Sequence, residues 1–199
     1  MFQILSTGQI PEVLREGLRG VLETSLIFAL LCAIVGVIAC MLYWTIRNGI
    51  SPMPTAKKVR RALLEHMPEG MRGTIAELGS GWGTLALPIA QKYPHSSVIG
   101  YETNPIAYLF STLFCRCPNL HFERRDFFTV PLEGVSCIVC YLYPGAMQAL
   151  ADKCRRELQP GAYIISHTFA LPGFVAEKVI EVPDLYKTRI YIYRAKVCK

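Results

Sequence analysis

The chain has 199 residues, 52% of them hydrophobic, with 21 Lys and Arg against 15 Asp and Glu for a net charge of +6. That length holds one ordinary domain plus an appendage, which excludes a pair of catalytic domains. A mean hydropathy of +0.30 is high for a chain folded wholly in water, and the apolar excess is concentrated near the N-terminus.

Residues 1–23 form a short first segment. Pro11 is placed to start a helix, and Val13, Leu14, Gly17, Leu18, Val21 and Leu22 share one of its faces, as in a segment resting on a membrane surface. From Thr24 to Ile46 no charged residue occurs, and the middle reads SLIFALLCAIVGVIACMLYW. Twenty helical residues cover about 30 Å, the hydrocarbon thickness of a bilayer, and Tyr43 and Trp44 stand where amphipathic rings favour the interface. Residues 24–46 are therefore expected to be a single transmembrane helix. Val37-Ile38-Ala39-Cys40 has the look of a lipoprotein cleavage box, but the run exceeds the ~7–15 residues of a signal core and continues past Cys40. Glu12, Glu16 and Glu23 also stand among the flanking residues, which disfavours both a cleaved signal and a transit peptide.

Residues 47–54, with Pro52 and Pro54, read as a linker, and at no more than ~3.6 Å per residue it keeps the following domain close to the bilayer. Arg47, Lys57, Lys58, Arg60 and Arg61 follow the span, so the positive-inside rule puts the C-terminal part on the cytoplasmic face or its organellar equivalent. The same cluster suits anionic headgroups. No aromatic residues interleave with it, so no nucleic-acid partner is expected.

Residues 55–199 alternate helix and strand. Thr55–Met67 is expected to be helical, with Thr55 as N-cap and Val59, Leu63 and Leu64 turned inward. Strands are expected at Gly73–Leu78, Ser97–Glu102, Leu120–Arg125, Ser136–Leu142, Ala162–Phe169, Glu177–Val182 and Arg189–Arg194. The earlier strands are mostly separated by helix-length stretches, which predicts a parallel, doubly wound α/β sheet; the last two lack room for a helix between them and predict an antiparallel hairpin. The eight cysteines make no disulfide or zinc framework. Cys137 and Cys140 are three apart on a strand, so they face opposite ways and cannot grip one metal.

Gly79-Ser80-Gly81-Trp82-Gly83 follows the first strand and is expected to open the next helix, where glycine lets backbone turn sharply and approach a ligand. The spacing is G-x-G-x-G, whereas the dinucleotide fingerprint G-x-G-x-x-G requires glycine at Thr84. Glu102 ends the second strand about 20 residues downstream, the place of an acid that holds ribose hydroxyls. Asp126 ends the third strand and is followed by Phe127 and Phe128, an acid and an aromatic suited to an adenine amino group and ring. His167, in the fifth strand, reads as a core or edge histidine.

The segments IAELGSGWG, YETNP, RRDFF and Ser136–Tyr143 resemble, in order, the motifs of class I S-adenosylmethionine methyltransferases. More narrowly, PMPTAKKV, GYETNP, RRDFFTV, the Tyr141-Leu142-Tyr143-Pro144 turn and SHTFALPGF resemble the membrane-anchored lysine methyltransferases of adenine nucleotide translocase and of the c-ring protein of ATP synthase. Trp82 departs from the acid usual there. The resemblance implies a Rossmann-like seven-stranded sheet with an antiparallel last strand, S-adenosyl-L-methionine as cofactor and a membrane-protein substrate. It places Glu77, Gly79, Ser80, Gly81 and Gly83 at the methionine end of the cofactor, Glu102 at the ribose, and Asp126 with Phe127 at the adenine. Tyr141, Tyr143 and Pro144 then lie nearest the transferred methyl, where aromatic rings can hold a cationic acceptor. Lysine methylation of a membrane protein, methylation of a lipid or quinone-type molecule, and a non-catalytic interaction module on the same fold stay open at this point.

Overall fold

The computed structural model describes residues 12–49 and 53–196. It divides into two compact units, Met1–Tyr43 and Trp44–Lys199. The first is helical. Helix α1, Glu12–Asn48, is an unbroken run of 37 residues, none of them buried. It is long and apolar enough to cross a membrane. Its last turn, from Trp44, belongs to the second unit. The helix therefore extends through Arg47 and Asn48, into the segment expected to be a linker.

The second unit holds α2 (Lys57–His66), β1 (Gly73–Leu78), α3 (Ala86–Lys92), β2 (Ser96–Tyr101), α4 (Pro105–Phe114), β3 (Leu120–Glu123), β4 (Val135–Cys140), α5 (Pro144–Glu157), β5 (Tyr163–His167), β6 (Lys178–Glu181) and β7 (Arg189–Arg194). The strands form one seven-stranded sheet in the order β3-β2-β1-β4-β5-β7-β6. β1 to β5 pair in parallel, while β7 runs antiparallel to both β5 and β6. This is the doubly wound sheet with an antiparallel last strand that the alternation and closing hairpin imply.

Strand alternation divides the core. Ala76, Leu78, Ile138, Cys140 and Ile164 pack with Met147, Leu150 and Cys154 of α5 on one face. Ile75, Cys137, Val139 and Ile165 pack with Val59 and Leu63 of α2 and Ile89 of α3 on the other. Cys137 and Cys140 thus face opposite layers as expected, and burial pushes both thiols up in pKa, away from the thiolate a metal needs. Among the described residues no group of His, Cys, Asp and Glu is placed to hold a metal ion.

Two local expectations need correction. Ala56, not Thr55, stands at the N-cap of α2, with no side-chain capping bond. The Thr55 hydroxyl lies instead 3.4 Å from Nε2 of His167. The glycine loop does not lead directly into α3, which begins only at Ala86. Gly83 sits in the left-handed region (φ 72°), where a Cβ would lie 2.7 Å from Phe122 Cζ and 3.0 Å from Ser111 Cβ. It lets the loop pass over β3 and α4.

This assigns Gly83 a packing role with a measurable cost. Gly83→Ala is expected to destabilise the fold by roughly 1–3 kcal/mol through overpacking, added to the strain of a left-handed alanine. Gly134→Ala is the control, because Gly134 shares the backbone strain (φ 80°) but has open space around it. Thermal melting in detergent should show a markedly larger loss for Gly83→Ala, and equal losses would remove the packing role.

Candidate active site

Two runs of the chain leave β1 in opposite directions: β2 and β3 lie on one side, β4 and β5 on the other. Ligands of doubly wound sheets bind at such a switch point, outside the carboxyl ends of the strands. A cavity of about 540 Å³ lies there, bounded by Glu77, the loop from Gly79, Glu102, Phe127 and the Tyr141–Tyr143 turn. That volume is within the roughly 300–1,000 Å³ usual for small-molecule sites.

The floor is built by backbone. Gly79 N–H and Ser80 N–H both donate to the Tyr101 carbonyl at 2.9 Å, which bends the chain leaving β1 toward β2. Gly81 N–H then donates to Glu102 Oε2 at 2.7 Å, and Asn104 N–H donates to Glu102 Oε1 at 2.7 Å. Burial raises the Glu102 pKa, opposed by the bonds from Asn104, Gly81 and Thr103. A carboxylate has about four acceptor sites, so both oxygens keep capacity for a ligand hydroxyl. Asn104 in turn caps α4, its Oδ1 accepting from Ile106 N–H at 2.9 Å and Ala107 N–H at 3.2 Å.

Glu77 is the more costly residue. It is 6% exposed, and among the described residues Oε2 has no hydrogen-bond partner, as is also true of Ser80 Oγ. Its pKa lies well above the usual carboxylate range, chiefly from burial, with Glu102 adding repulsion and the Ala86 amide opposing. Two orphaned acceptors lining one cavity beside a cradle of glycine backbone fit a ligand that brings its own donors, such as an amino-acid ammonium group.

On the β3 side, Asp126 Oδ1 accepts from Phe128 N–H at 2.9 Å and caps a 3-10 turn, Phe127–Thr129. Asp126 and Phe127 both line the cavity. On the β4 side, Tyr141 and Tyr143 line it as well. Tyr141 stacks on His167 at 4.4 Å between centroids and 15° between planes. His167 is 4% exposed, and burial lowers its pKa from 6.5 to about 4, so at neutral pH the stacked imidazole is uncharged.

The structure thus brings together Glu77, Gly79, Ser80, Gly81, Glu102, Asp126, Phe127, Tyr141 and Tyr143. It does not bring in Gly83, which is packed against Phe122, or Pro144, which is exposed as the first residue of α5. Sequence reasoning misses that Trp44, Arg47, Asn48, Met53, Thr55 and Thr103 belong to the wall.

With that geometry in hand, comparison with known proteins is decisive. The profile of the ANTKMT methyltransferase domain matches residues 77–178, the stretch carrying the acids, the glycine loop and the tyrosine turn. The chain belongs to this family. It is an S-adenosylmethionine-dependent methyltransferase. Similar curated proteins include a protein-lysine N-methyltransferase of Saccharolobus islandicus, 25% identical over 136 residues covering 66% of this chain and 84% of that protein. The adenine nucleotide translocase lysine N-methyltransferase of Mus musculus is 30% identical over 130 residues, 63% of this chain and 56% of that longer protein. The lysine N-methyltransferase of the ATP synthase c-ring protein in Xenopus laevis is 24% identical over 182 residues, 89% of this chain and 78% of that protein. Among solved structures, an RNA methyltransferase from Salinibacter ruber in complex with S-adenosyl-L-homocysteine shares the fold, with a TM-score of 0.65 at 21% identity over 74% of this chain and 96% of that one.

Glu102→Ala is expected to weaken binding of S-adenosyl-L-homocysteine by roughly 1.5–3 kcal/mol, the range for hydrogen bonds to a charged group. It should also lower the melting temperature, because Gly81 and Asn104 lose their shared acceptor. A calorimetric titration showing unchanged affinity would remove Glu102 from the cofactor site.

A second expectation concerns pH. Unfolded His167 takes a proton below pH 6.5, whereas in the fold it does so only near pH 4. The unfolded state then binds more protons in that window, so stability falls as pH drops through it, by roughly 3 kcal/mol at about 1.4 kcal/mol per pKa unit. The raised Glu77 and Glu102 act in the opposite sense but are common to both proteins when wild type is compared with His167→Gln. The stability difference between the two should shrink as pH falls from 6.5 to 4, and a difference independent of pH would show that His167 is not held neutral.

Proposed function

We propose that this enzyme is a single-pass membrane protein that transfers methyl groups to lysine side chains of a membrane-protein partner. In this reading residues 24–46 span the bilayer, residues 12–23 continue the same helix beyond it, 47–54 lead out on the other side, and 55–199 form the catalytic domain on the positive-inside face. The observation that carries it is the pairing of one long apolar helix with relatives named for lysine methylation of adenine nucleotide translocase and of the ATP synthase c-ring protein. Exposed Leu109, Phe110, Leu113 and Phe114 on α4 add support. Phe110 meets Trp82 of the cavity wall edge-on at 5.2 Å, so an apolar surface suited to the edge of a bilayer adjoins the site.

S-adenosylmethionine supplies a methyl group activated on a sulfonium. Glu77, Ser80 and the Gly79–Gly81 backbone would hold its methionine end, Glu102 the ribose hydroxyls, and Asp126 with Phe127 the adenine. The chain's remaining work is to present an uncharged amine in line with the methyl, a positioning effect worth up to roughly 7–11 kcal/mol. A new C–N bond forms as the C–S bond breaks, the bonding pair stays on sulfur, and the amine proton leaves to solvent. Tyr141 and Tyr143 suit this task. Their ring faces favour the methylated cation that results. The neutral His167 behind Tyr141 adds no competing charge.

Tethering in the same membrane raises the effective concentration of an embedded protein, and equally of a lipid. Methyl-labelled cofactor incubated with the enzyme and membranes from its own source is expected to label a protein band that yields methylated lysine on acid hydrolysis. Label extracted wholly with the lipids would overturn the lysine reading in favour of a lipid or quinone-type acceptor.

A further inference from the structure

The cavity has a wall that neither the glycine loop nor the tyrosine turn provides. Trp44, Arg47 and Asn48 of the last turn of α1 line it, followed by Met53 and Thr55. Asn48 Nδ2 donates to Thr103 Oγ1 at 2.9 Å, and Thr103 directly follows Glu102. The next residue, Gly49, is in the left-handed region (φ 69°), and a Cβ there would lie 2.9 Å from Cε1 and Cζ of Tyr143. On the other edge of the same ring, a Cβ on Gly145 would lie 2.8 Å from Cε2. The Tyr143 ring is clamped between two glycines, one just past the end of α1 and one in the first turn of α5.

These two contacts fix the path of the chain. Asn48 meets the segment leaving β2, Gly49 meets the residue leading from β4 into α5, and β1 lies between β2 and β4 in the sheet. Asn48 and Gly49 therefore cross the carboxyl end of β1, over the glycine loop. The acids that suit the cofactor, Glu77 and Glu102, are at the floor. What remains above them comes from the rings of Trp44, Tyr141 and Tyr143, together with Arg47, Asn48 and Met53.

We infer that the last turn of α1, with Gly49, forms the wall of the methyl-acceptor site, Trp44 supplying a ring face for the acceptor chain and Gly49 setting the position of Tyr143. This rests on the lysine-acceptor reading above and goes further, because it makes the end of the long apolar helix part of the catalytic centre. The Arg47 guanidinium, 5.5 Å from the centroid of Trp44, shows that the indole can receive a cation. A longer side chain at residue 49 would push Tyr143 aside, and loss of the indole would widen the wall, while the acids and glycine backbone beneath stay in place.

The test uses the full-length enzyme in vesicles, with Trp44→Ala, Trp44→Phe, Asn48→Ala and Gly49→Val. Affinity for S-adenosyl-L-homocysteine should stay within about twofold of wild type, while kcat/KM for methyl transfer to the source-membrane acceptor falls about tenfold or more in Trp44→Ala and Gly49→Val. Trp44→Phe should recover most of that loss, and Asn48→Ala should fall between. Melting temperatures identify any variant that fails to fold, and the Trp44→Ala and Trp44→Phe pair then still decides. Unchanged transfer in folded Trp44→Ala would overturn the inference, as would cofactor affinity falling in parallel with transfer or no recovery in Trp44→Phe. A wild-type enzyme that labels only lipid overturns the lysine reading instead, and is recognised before any variant is compared.

Discussion

Glu102 accepts at 2.7 Å from Gly81 N–H and at 2.7 Å from Asn104 N–H, and these two bonds hold the loop after β1 to the turn after β2. The carboxylate is almost wholly buried, a costly placement for a charge unless backbone donors surround it. Further consequences run through the three residues Glu102–Asn104. Asn104 caps α4, so the acid fixes where that helix starts. Thr103 receives Asn48, so the acid also fixes where the last turn of α1 meets the sheet edge. This buried acid is thus the joint at which three walls of the cavity meet. Affinity and stability are coupled through it.

What is legible in the sequence is what repeats or punctuates. β1 ends at Leu78 because glycine follows, and β7 follows its partner too closely for a crossover; both strands have the bounds their patterns imply. Glu102, Asp126 and Phe127 can be found because doubly wound sheets bind ligands at strand ends, and strand ends are visible as changes in hydrophobic period. Thr55 misleads for a physical reason. A threonine before a helix has the composition of an N-cap, and nothing local says that its hydroxyl will face His167, more than a hundred residues away. Pro144 stands in the first turn of α5, where its fixed φ suits the start of a helix. The stack of Tyr141 on His167 joins the exits of β4 and β5, neighbours in the sheet but not in the chain. Spacing within one element carries no record of such a pairing.

Gly49 and Gly83 show the same limit from another side. Both have positive φ, and both look in sequence like ordinary loop glycines. Gly83 belongs to the ligand-binding pattern but serves packing, whereas Gly49 sits in an expected linker yet abuts a tyrosine of the cavity. Glycine reports that something must come close, and only the fold says what. The helix end is hidden by the clarity of the apolar run. A segment that satisfies the length rule for a bilayer is read to its last apolar residue, and Arg47 and Asn48 then look like the start of something else.

The cavity is divided electrically as well as by shape. At its floor are Glu77 and Glu102, both raised in pKa by burial, with Glu77 raised further by its neighbour and carrying an oxygen without a donor. That is an unfavourable arrangement for an empty protein, since a lone buried acceptor costs about 1–3 kcal/mol and more if charged. It becomes favourable when a cation with N–H donors is bound there, because the donors satisfy Oε2 and the charge relieves the repulsion between the acids. At the opposite wall stand the rings of Trp44, Tyr141 and Tyr143 with the Arg47 guanidinium, and Tyr141 is backed by an imidazole that burial keeps uncharged. Ring faces of this kind attract a cation. The two ends thus differ in kind, with acids and an unmet acceptor at the floor and ring faces beside a neutral imidazole at the wall.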